Sequence, residues 1–278
     1  MIQRKCIPVL FPLLAVVMAA PAGAAQLTAD QIVKKSHHVY GGDDAVVTLT
    51  FHFITPGGDE RKLAYKMAWK RYEHGKYIRK VIFATEFPPD KRGGSYMIWS
   101  YRPSLHRDND EWIYMPQLRS IRKVGDTHDE ADKHNKDEFA KRSVLQDPEL
   151  MPRMPQADRH RLVRTVSAGG KRYYEVENVP KHATKEYPYS KTLNWIDADT
   201  FLLRRIDYYG PDGKALKREQ IDWKKIGKAW MWHRVEAVNL ATHDKTVIDL
   251  SGIHVNVGLG DRVFSKRTMR LGLDTVVR

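Results

Sequence analysis

The sequence predicts a mainly β protein built from one strongly curved antiparallel sheet. Apolar and polar residues alternate with a period of two over most of the chain after residue 44, and turns rich in glycine, proline and aspartate separate the alternating segments. These segments amount to about ten to twelve strands with little helix between them. Many of the strands carry one continuous apolar and aromatic face, so the sheet has to curl in order to bury it.

The N-terminal residues have the layout of a secretory signal peptide. Arg4 and Lys5 precede the apolar segment 7–20, and small residues that include Ala24 and Ala25 follow it. The apolar segment contains two prolines and is shorter than the roughly twenty residues of a membrane-spanning helix. We therefore expect residues 1–25 to be removed by cleavage after Ala24 or Ala25, and the mature protein to be periplasmic.

Cysteine content and charge restrict the function classes. The single cysteine, Cys6, precedes the apolar segment, so it is not the lipidated cysteine of a lipoprotein, and the mature chain has no thiol. Loss of Arg4 and Lys5 with the leader lowers the formal net charge from +13 to +11. Acidic residues are interleaved with the basic ones, so the charge is mostly solvated surface, and export argues against a nucleic-acid partner.

A short amphipathic helix is predicted at the start of the mature chain. Thr28 has the position of an N-cap and Gln31 that of its capping-box partner, while Gly41 and Gly42 are expected to end the helix. Its apolar residues, among them Ile32, should lie on an apolar surface.

The strands follow in order. The first runs from Ala45 to Phe53 and places Val47, Leu49 and Phe51 on the same face as Phe53. Further strands are predicted at 63–69, 77–83, 97–101, 112–115, 161–163, 173–176, 192–196, 201–209, 218–223, 231–240 and 246–257. A charged loop at 126–138 and a short helix at 137–145 lie between the two groups of strands. No linker or repeat interrupts residues 26–278, which predicts a single domain.

The apolar strand faces allow two interpretations. They either fill a solid core, as in a β-sandwich, or leave a hollow in which an apolar ligand binds. In the second case the cavity is lined by the inward-facing residues Leu49, Phe51, Phe53, Tyr65, Met67, Trp69, Trp99, Tyr101, Trp112, Tyr114 and Trp195.

Basic residues near two of the aromatic segments are candidates for binding a lipid headgroup. Arg119 and Arg122 follow the strand of Trp112, and Lys266 and Arg267 follow Phe264. Cations at a cavity mouth hold phosphate or carboxylate through charge-assisted hydrogen bonds. The alternative is that they only keep the surface soluble.

Four segments resemble the outer-membrane lipoprotein-sorting protein family, a group of LolA-like periplasmic carriers. The segments are 112–122 (WIYMPQLRSIR), 195–197 with 202–209, 212–214, and 263–269, and they occur in the family's order. The resemblance implies a LolA- and LppX-like fold, an unclosed β-barrel of about eleven strands with short helices plugging a cavity for acyl chains. After Arg122 the family has a glycine-aspartate-aromatic stretch, whereas this chain has the charged loop, so the lid over the cavity is expected to differ.

Relatives in this family are often encoded beside RND-type exporters. The resemblance therefore implies a carrier in lipid transport and outer-membrane biogenesis, whose partners are lipid or lipoprotein acyl chains and an inner-membrane RND-type exporter. A sensor or adaptor of the same fold, which regulates a membrane partner on lipid binding, is the alternative. We expect the protein to be a monomer.

An envelope hydrolase is the third hypothesis, and the residues favour it least. The loop from His128 to His134 contains acidic and histidine residues without the spacing of a zinc or calcium site. The sequence has no serine on a glycine elbow and no glycine-rich phosphate loop. We expect no catalytic residues, no metal and no cofactor.

Overall fold

The computed structural model describes residues 26–124, 143–146, 149–150, 152–182, 184 and 187–276. The predicted signal peptide and the charged loop lie outside these residues. The strands are β1 Asp44–Ile54, β2 Glu60–Arg71, β3 Tyr77–Phe87, β4 Ser95–Tyr101, β5 Asp110–Met115, β6 Ser120–Lys123, β7 Asp158–Ala168, β8 Lys171–Pro180, β9 Lys191–Asp197, β10 Leu203–Tyr209, β11 Ala215–Ile226, β12 Ala229–Asn239 and β13 Lys245–Val255. The helices are α1 Ala29–His37 and α2 Lys266–Leu271.

All strands belong to one antiparallel sheet with the order β6-β5-β4-β3-β2-β1-β13-β12-β11-β10-β9-β8-β7. The first and last strands pair with each other, so the chain forms two meanders that join at β1 and β13. β6 and β7 stand at the edges, and no pairing within the described residues joins them, so the sheet is not closed into a barrel. The mainly β, unclosed fold is thus confirmed, with more strands than the resemblance implies.

Helix α1 begins as the sequence predicts. Thr28 Oγ1 accepts from the Gln31 backbone N–H at 3.2 Å, and Gln31 Oε1 accepts from the Thr28 backbone N–H at 2.9 Å. Ile32 is fully buried against Val176 of β8 and Ile196 of β9. The expected apolar surface beneath the helix is therefore provided by β8 and β9.

The predicted end of this helix was wrong. The helix ends at His37, and His38 is its C-cap. Gly42 instead lies where the backbone has a φ of +97° and where a Cβ would come within 2.4 Å of Val255 Cγ1. The glycine is needed because the chain passes close to β13 before entering β1, not because it stops a helix.

Two further predictions need correction. The sequence predicts a helix over residues 137–145. The structure describes residues 143–146 in this region, and they are not helical. Phe201 precedes β10 and has a φ of +57°, so it belongs to the turn before that strand. Strand β6 was not predicted, because Ser120–Lys123 is too short and too polar to show a clear alternation.

The sheet has two faces with different coverings. We call the face that carries Leu49, Phe51 and Phe53 the inner face, and the opposite one the outer face. On the inner face, Phe51 lies opposite Leu63 of β2 and Ile248 of β13. The largest buried apolar cluster of the described residues lies here, with members from β1, β11, β12 and β13.

On the outer face, the C-terminal segment 259–276 covers strands β1 to β5. Phe264, Met269 and Leu273 are each 1% exposed and pack on a row that includes Met97 and Trp112. Buried apolar surface of this extent is the main stabilisation of the segment.

Two carboxylates fix the entry of this C-terminal segment. Asp44 of β1 accepts from the backbone N–H of Val257 at 2.7 Å and of Leu259 at 2.8 Å. Asp261 accepts from Tyr72 at 3.0 Å and from Lys70 at 3.2 Å. Burial raises the pKa of Asp261, but these hydrogen bonds and the nearby lysines outweigh it, so its pKa is lowered.

Candidate functional site

The centre of the inner face is an aromatic cluster. The rings of Phe51 and Phe53 stack at 6.2 Å, and Tyr65 packs edge-on against Phe51 at 6.1 Å. Tyr65 in turn contacts Phe83 of β3 at 6.2 Å. Phe51 and Phe53 are each 6% exposed, whereas Tyr65 and Phe83 are only half-buried. Apolar surface therefore becomes more accessible from β1 towards β3.

A row of directly paired residues continues this accessible surface across the sheet. Met67 lies opposite Phe83, Phe83 opposite Tyr96, and Tyr96 opposite Ile113. All four are half-buried, and the row ends at Arg122 of the edge strand β6. Residues that face each other across antiparallel strands share a face. The inner face thus carries an apolar strip of Met67, Phe83, Tyr96 and Ile113 with a basic residue at its end.

Part of the connection between the two meanders fills the other side of the inner face. Leu145 is 1% exposed and belongs to the same cluster as Phe51. The Val144 backbone N–H donates to Thr246 Oγ1 of β13 at 2.8 Å. The segment 143–146 therefore occupies the inner face with a buried leucine at its centre.

A buried polar cluster on the inner face holds this connection. Lys217 of β11 donates to the Glu149 carboxylate and to the Val144 carbonyl, and Tyr189 also donates to Glu149. The side chains of Lys217 and Glu149 are 6% and 1% exposed. Burial lowers the pKa of Lys217, although Glu149 opposes that shift. A buried pair of this kind is costly to break, because removing one partner leaves the other charge without compensation.

Glu219 lies two residues further along β11 on the same face. Its carboxylate accepts from Tyr208 of β10 at 2.7 Å. Burial raises the pKa of Glu219 to about 7; the Tyr208 hydrogen bond lowers it, and the Glu149 charge raises it again. The pKa of Tyr208 is raised well above its ordinary value, first by burial and then by the two carboxylates. The cluster contains a carboxyl group whose charge changes near neutral pH.

The structure brings together six of the predicted cavity residues and separates four others from them. The six share the inner face: Leu49, Phe51, Phe53, Tyr65, Met67 and Trp69. The four lie on β4 and β5 and point to the outer face: Trp99, Tyr101, Trp112 and Tyr114. The expectation that all of them line one cavity was therefore wrong.

The error has a simple physical cause. Both faces of β4 carry large apolar residues, since Tyr96 and Ile98 face inward while Met97 and Trp99 face outward. A strand with large apolar residues on both faces shows no apolar–polar alternation from which the direction of its side chains can be assigned. The C-terminal segment covers the outer face of β4, and the alternation of residues within the strand does not reveal that this segment packs there.

Trp195, the remaining predicted cavity residue, also lies away from the inner cluster. It is opposite Arg205 and Glu175, and the Arg205 guanidinium stacks on its ring at 4.9 Å. It lines a polar outer cavity of about 410 Å³ together with Arg204 and Arg234.

The predicted headgroup residues do not surround one opening. Arg122 lies at the end of the inner strip, and Arg119 is exposed in the turn before β6 with a φ of +49°. Lys266 lies over the outer Trp112 ring at 5.9 Å, and Arg267 is exposed beside it on α2. Only Arg122 adjoins the apolar strip.

The comparisons with known proteins agree with this architecture. A family model described as an uncharacterized protein matches residues 79–271, more than half of the chain. The chain belongs to this family. A search of curated protein sequences finds no match.

Solved structures extend the likeness of this family member to LolA-like proteins. A DUF1329 family protein from Desulfovibrio piger is 24% identical, with 87% of this chain and 97% of that chain covered and a TM-score of 0.70. For an outer-membrane lipoprotein-sorting protein domain from Vibrio parahaemolyticus the identity is 18%, the coverage 87% and 98%, and the TM-score 0.68. A LolA superfamily protein from Nitrosomonas europaea is 18% identical, with coverage of 87% and 99% and a TM-score of 0.59. The predicted LolA-like resemblance is confirmed at the level of the fold.

Metal-binding clusters and membrane-spanning helices are both absent from the described residues of this family member. No group of three or more histidine, cysteine, aspartate or glutamate residues there is placed to hold a metal ion. No helix among those residues has the length and apolar character needed to cross a membrane. The loop from His128 to His134 lies outside the described residues.

Proposed function

We propose that the protein is a periplasmic carrier that binds acyl chains of a lipid or lipoprotein on its inner face and exchanges them with an RND-type envelope transport system. The observation that carries this proposal is the half-buried apolar strip of Met67, Phe83, Tyr96 and Ile113 beside a buried aromatic cluster. The LolA-like fold supports the proposal, because one of the solved structures with a similar fold is described as an outer-membrane lipoprotein-sorting protein domain.

The strip has the chemistry that an acyl chain requires. Burial of a chain is worth about 0.8 kcal/mol per methylene, so a long chain binds without any catalytic group. The strip crosses strands β2 to β5, and neighbouring strands lie about 4.8 Å apart, so the strip spans about 14 Å and accommodates part of an extended long chain. At its end, Arg122 is the basic side chain best placed for a phosphate or carboxylate headgroup.

The buried Leu145 bears on how a ligand is accommodated. Its side chain occupies apolar surface next to Phe51 and Phe53, so a chain that extends from the strip towards β1 has to displace it. Because Lys217 binds Glu149 a few residues away, displacement strains a buried ion pair. Binding and release would then be coupled to the position of this connection.

The same connection favours a sensor or adaptor as the second candidate function. A segment that moves when lipid binds is able to alter contact with a membrane partner. An envelope hydrolase has less support, because the sequence has no serine on a glycine elbow and no glycine-rich phosphate loop.

Mass spectrometry of organic extracts tests the proposal. Protein purified from the periplasm should release lipid or acylated peptide in near-stoichiometric amount, and intact mass should show cleavage after Ala24 or Ala25. Phe83→Ser should abolish co-purification, whereas Val163→Ser, at an exposed position of the edge strand β7, should leave it unchanged. Absence of lipid from the wild-type protein, or ester turnover with loss of bound lipid, would contradict the carrier.

A further inference from the structure

Two neighbouring turns project from the end of the sheet where β3 and β5 finish. Residues 88–94 connect β3 to β4, and residues 116–119 connect β5 to β6. Gln117 Nε2 donates to the Asp90 carbonyl at 2.9 Å. A Cβ on Gly93 would lie 3.7 Å from the ring of the proline that opens the second turn. The two turns form one surface, which we call the loop tip.

Large apolar side chains are exposed at the loop tip. Leu118 is 59% exposed and Phe87 is 39% exposed. Leu271 at the end of α2 is 52% exposed and belongs to the same end of the sheet, because Ser95 Oγ donates to the Met269 carbonyl at 3.1 Å. Single exposed leucines are common, but three large apolar side chains at one end of a sheet form a patch.

Basic side chains flank this patch. Lys62 lies over the Phe87 ring at 6.0 Å, and the Arg92 side chain is 70% exposed and lies 3.8 Å from the Glu86 carboxylate. Arg119 and Arg270 are exposed next to Leu118 and Leu271. The two turns and their flanks carry the three cations Lys91, Arg92 and Arg119 and the two acidic residues Glu86 and Asp90.

We propose that the loop tip docks the protein on an anionic membrane surface. Apolar side chains flanked by lysine and arginine are the combination that enters the boundary between headgroups and acyl chains while the cations contact lipid phosphates. This surface is distinct from the inner face, so the inference goes beyond lipid carriage and does not depend on it.

The opposite end of the sheet provides a matched comparison. Pro103–Leu105 and Pro116–Leu118 are both short 3-10 turns followed by a left-handed residue, and Leu105 is 49% exposed. Two of the cations there are engaged within the protein. Arg102 donates to the carbonyls of Tyr72 and Gly75, and Arg107 lies 3.3 Å from the Asp110 carboxylate. An exposed leucine therefore occurs at both ends, but Arg107 beside Leu105 is paired with Asp110 even though its side chain is 54% exposed.

Vesicle flotation of the mature protein tests the proposal. The wild-type protein should float with vesicles of phosphatidylethanolamine and phosphatidylglycerol, less with phosphatidylcholine alone, and less again as salt is raised. Leu118→Gln should lower the partition coefficient about tenfold, and Arg119→Gln about fivefold. Leu105→Gln should leave it unchanged. Because all three side chains are exposed, circular dichroism should show the same melting temperature for each variant.

Two results would overturn the docking surface. One is equal vesicle binding by wild-type protein and the Leu118→Gln, Arg119→Gln double variant. The other is no vesicle binding by the wild-type protein together with loop-tip crosslinks to a membrane protein in spheroplasts, which would assign the surface to a protein partner. Lipid bound on the inner face should be retained by the loop-tip variants, so loss of docking and loss of carriage are separate readouts.

Discussion

The Lys217 ammonium donates to the Glu149 carboxylate inside the protein, with both side chains almost fully buried. The ammonium also lies over the rings of Tyr189 at 4.9 Å and Tyr208 at 4.6 Å. The pair joins β11 to the connection that places Leu145 on the inner face. It is the contact most suited to hold that connection in place.

Lys217→Met should destabilise the protein by about 3–5 kcal/mol, because Glu149 is left buried without a cation. The double variant Lys217→Met, Glu149→Leu should recover much of this loss, since no unpaired charge remains. Urea unfolding followed by circular dichroism measures both. As a control, Arg161→Met breaks a pair with Glu177 in which the arginine side chain is 66% exposed and should cost less than about 1 kcal/mol. Equal losses for Lys217→Met and Arg161→Met would show that burial of the pair is not decisive.

Glu219 should make stability depend on pH near neutrality. Burial raises its pKa to about 7 in the folded protein, above the ordinary value of 4.5. Between these values the folded state binds more protons than the unfolded state, so the stabilisation is complete below the lower value and is lost as pH rises through the upper one. The free energy of unfolding should fall by up to about 1.4 kcal/mol per pH unit in this window.

Glu219→Gln should remove this dependence. Between pH 5 and 8, the difference in melting temperature between the wild type and the variant should change with pH. All other titrating groups are common to both proteins, so this change reports on Glu219. A constant difference across that range would mean that Glu219 stays charged.

The alternation of single strands proved sufficient to predict most of the sheet, but not to predict its faces. The strand from Ala45 to Phe53 was correctly predicted because its outward residues other than Val46 are polar, while its inner face is apolar. Trp99 and Trp112 were assigned to the wrong side because the C-terminal segment buries the outer face of β4 and β5. That segment is distant in sequence, so local periodicity contains no information about it.

The polar part of the inner face was also beyond sequence reasoning. Lys217 and Glu219 occupy inward positions of β11, where the alternation predicts apolar residues. Glu149, the partner of Lys217, comes from the connection between the meanders, 68 positions away in the sequence. The only sequence signal is a charged residue at a position expected to be buried, which usually indicates a pair or a functional group.

Asp44 should be needed to hold the C-terminal segment on the outer face. Its carboxylate satisfies two backbone N–H groups, those of Val257 and Leu259, and it is 5% exposed. Asp44→Ala leaves both donors without an acceptor, which should cost about 1–3 kcal/mol for each one that is buried. Asp274→Ala is the control, because its side chain is 75% exposed and its pair with Lys66 should contribute less than about 1 kcal/mol. The prediction fails if the two variants melt at the same temperature.

Tryptophan fluorescence should distinguish the two faces of the sheet during lipid binding. Trp69 is half-buried on the inner face and lies two residues after Met67 of the strip along β2. Trp112 is 8% exposed on the outer face beneath the C-terminal segment. Acyl chains on the strip should therefore change the environment of Trp69 and leave that of Trp112 as it is.

Titration with palmitate of delipidated wild-type protein, Trp69→Phe and Trp112→Phe measures this difference. Phenylalanine keeps an aromatic ring at each position, so both variants should remain folded. The wild type and Trp112→Phe should show the same change in emission, while most of the change should be lost in Trp69→Phe. Retention of the signal in Trp69→Phe with its loss in Trp112→Phe would place the ligand on the outer face. That result would require the C-terminal segment to leave β4 and β5, because Phe264 and Met269 now occupy the surface beside Trp112.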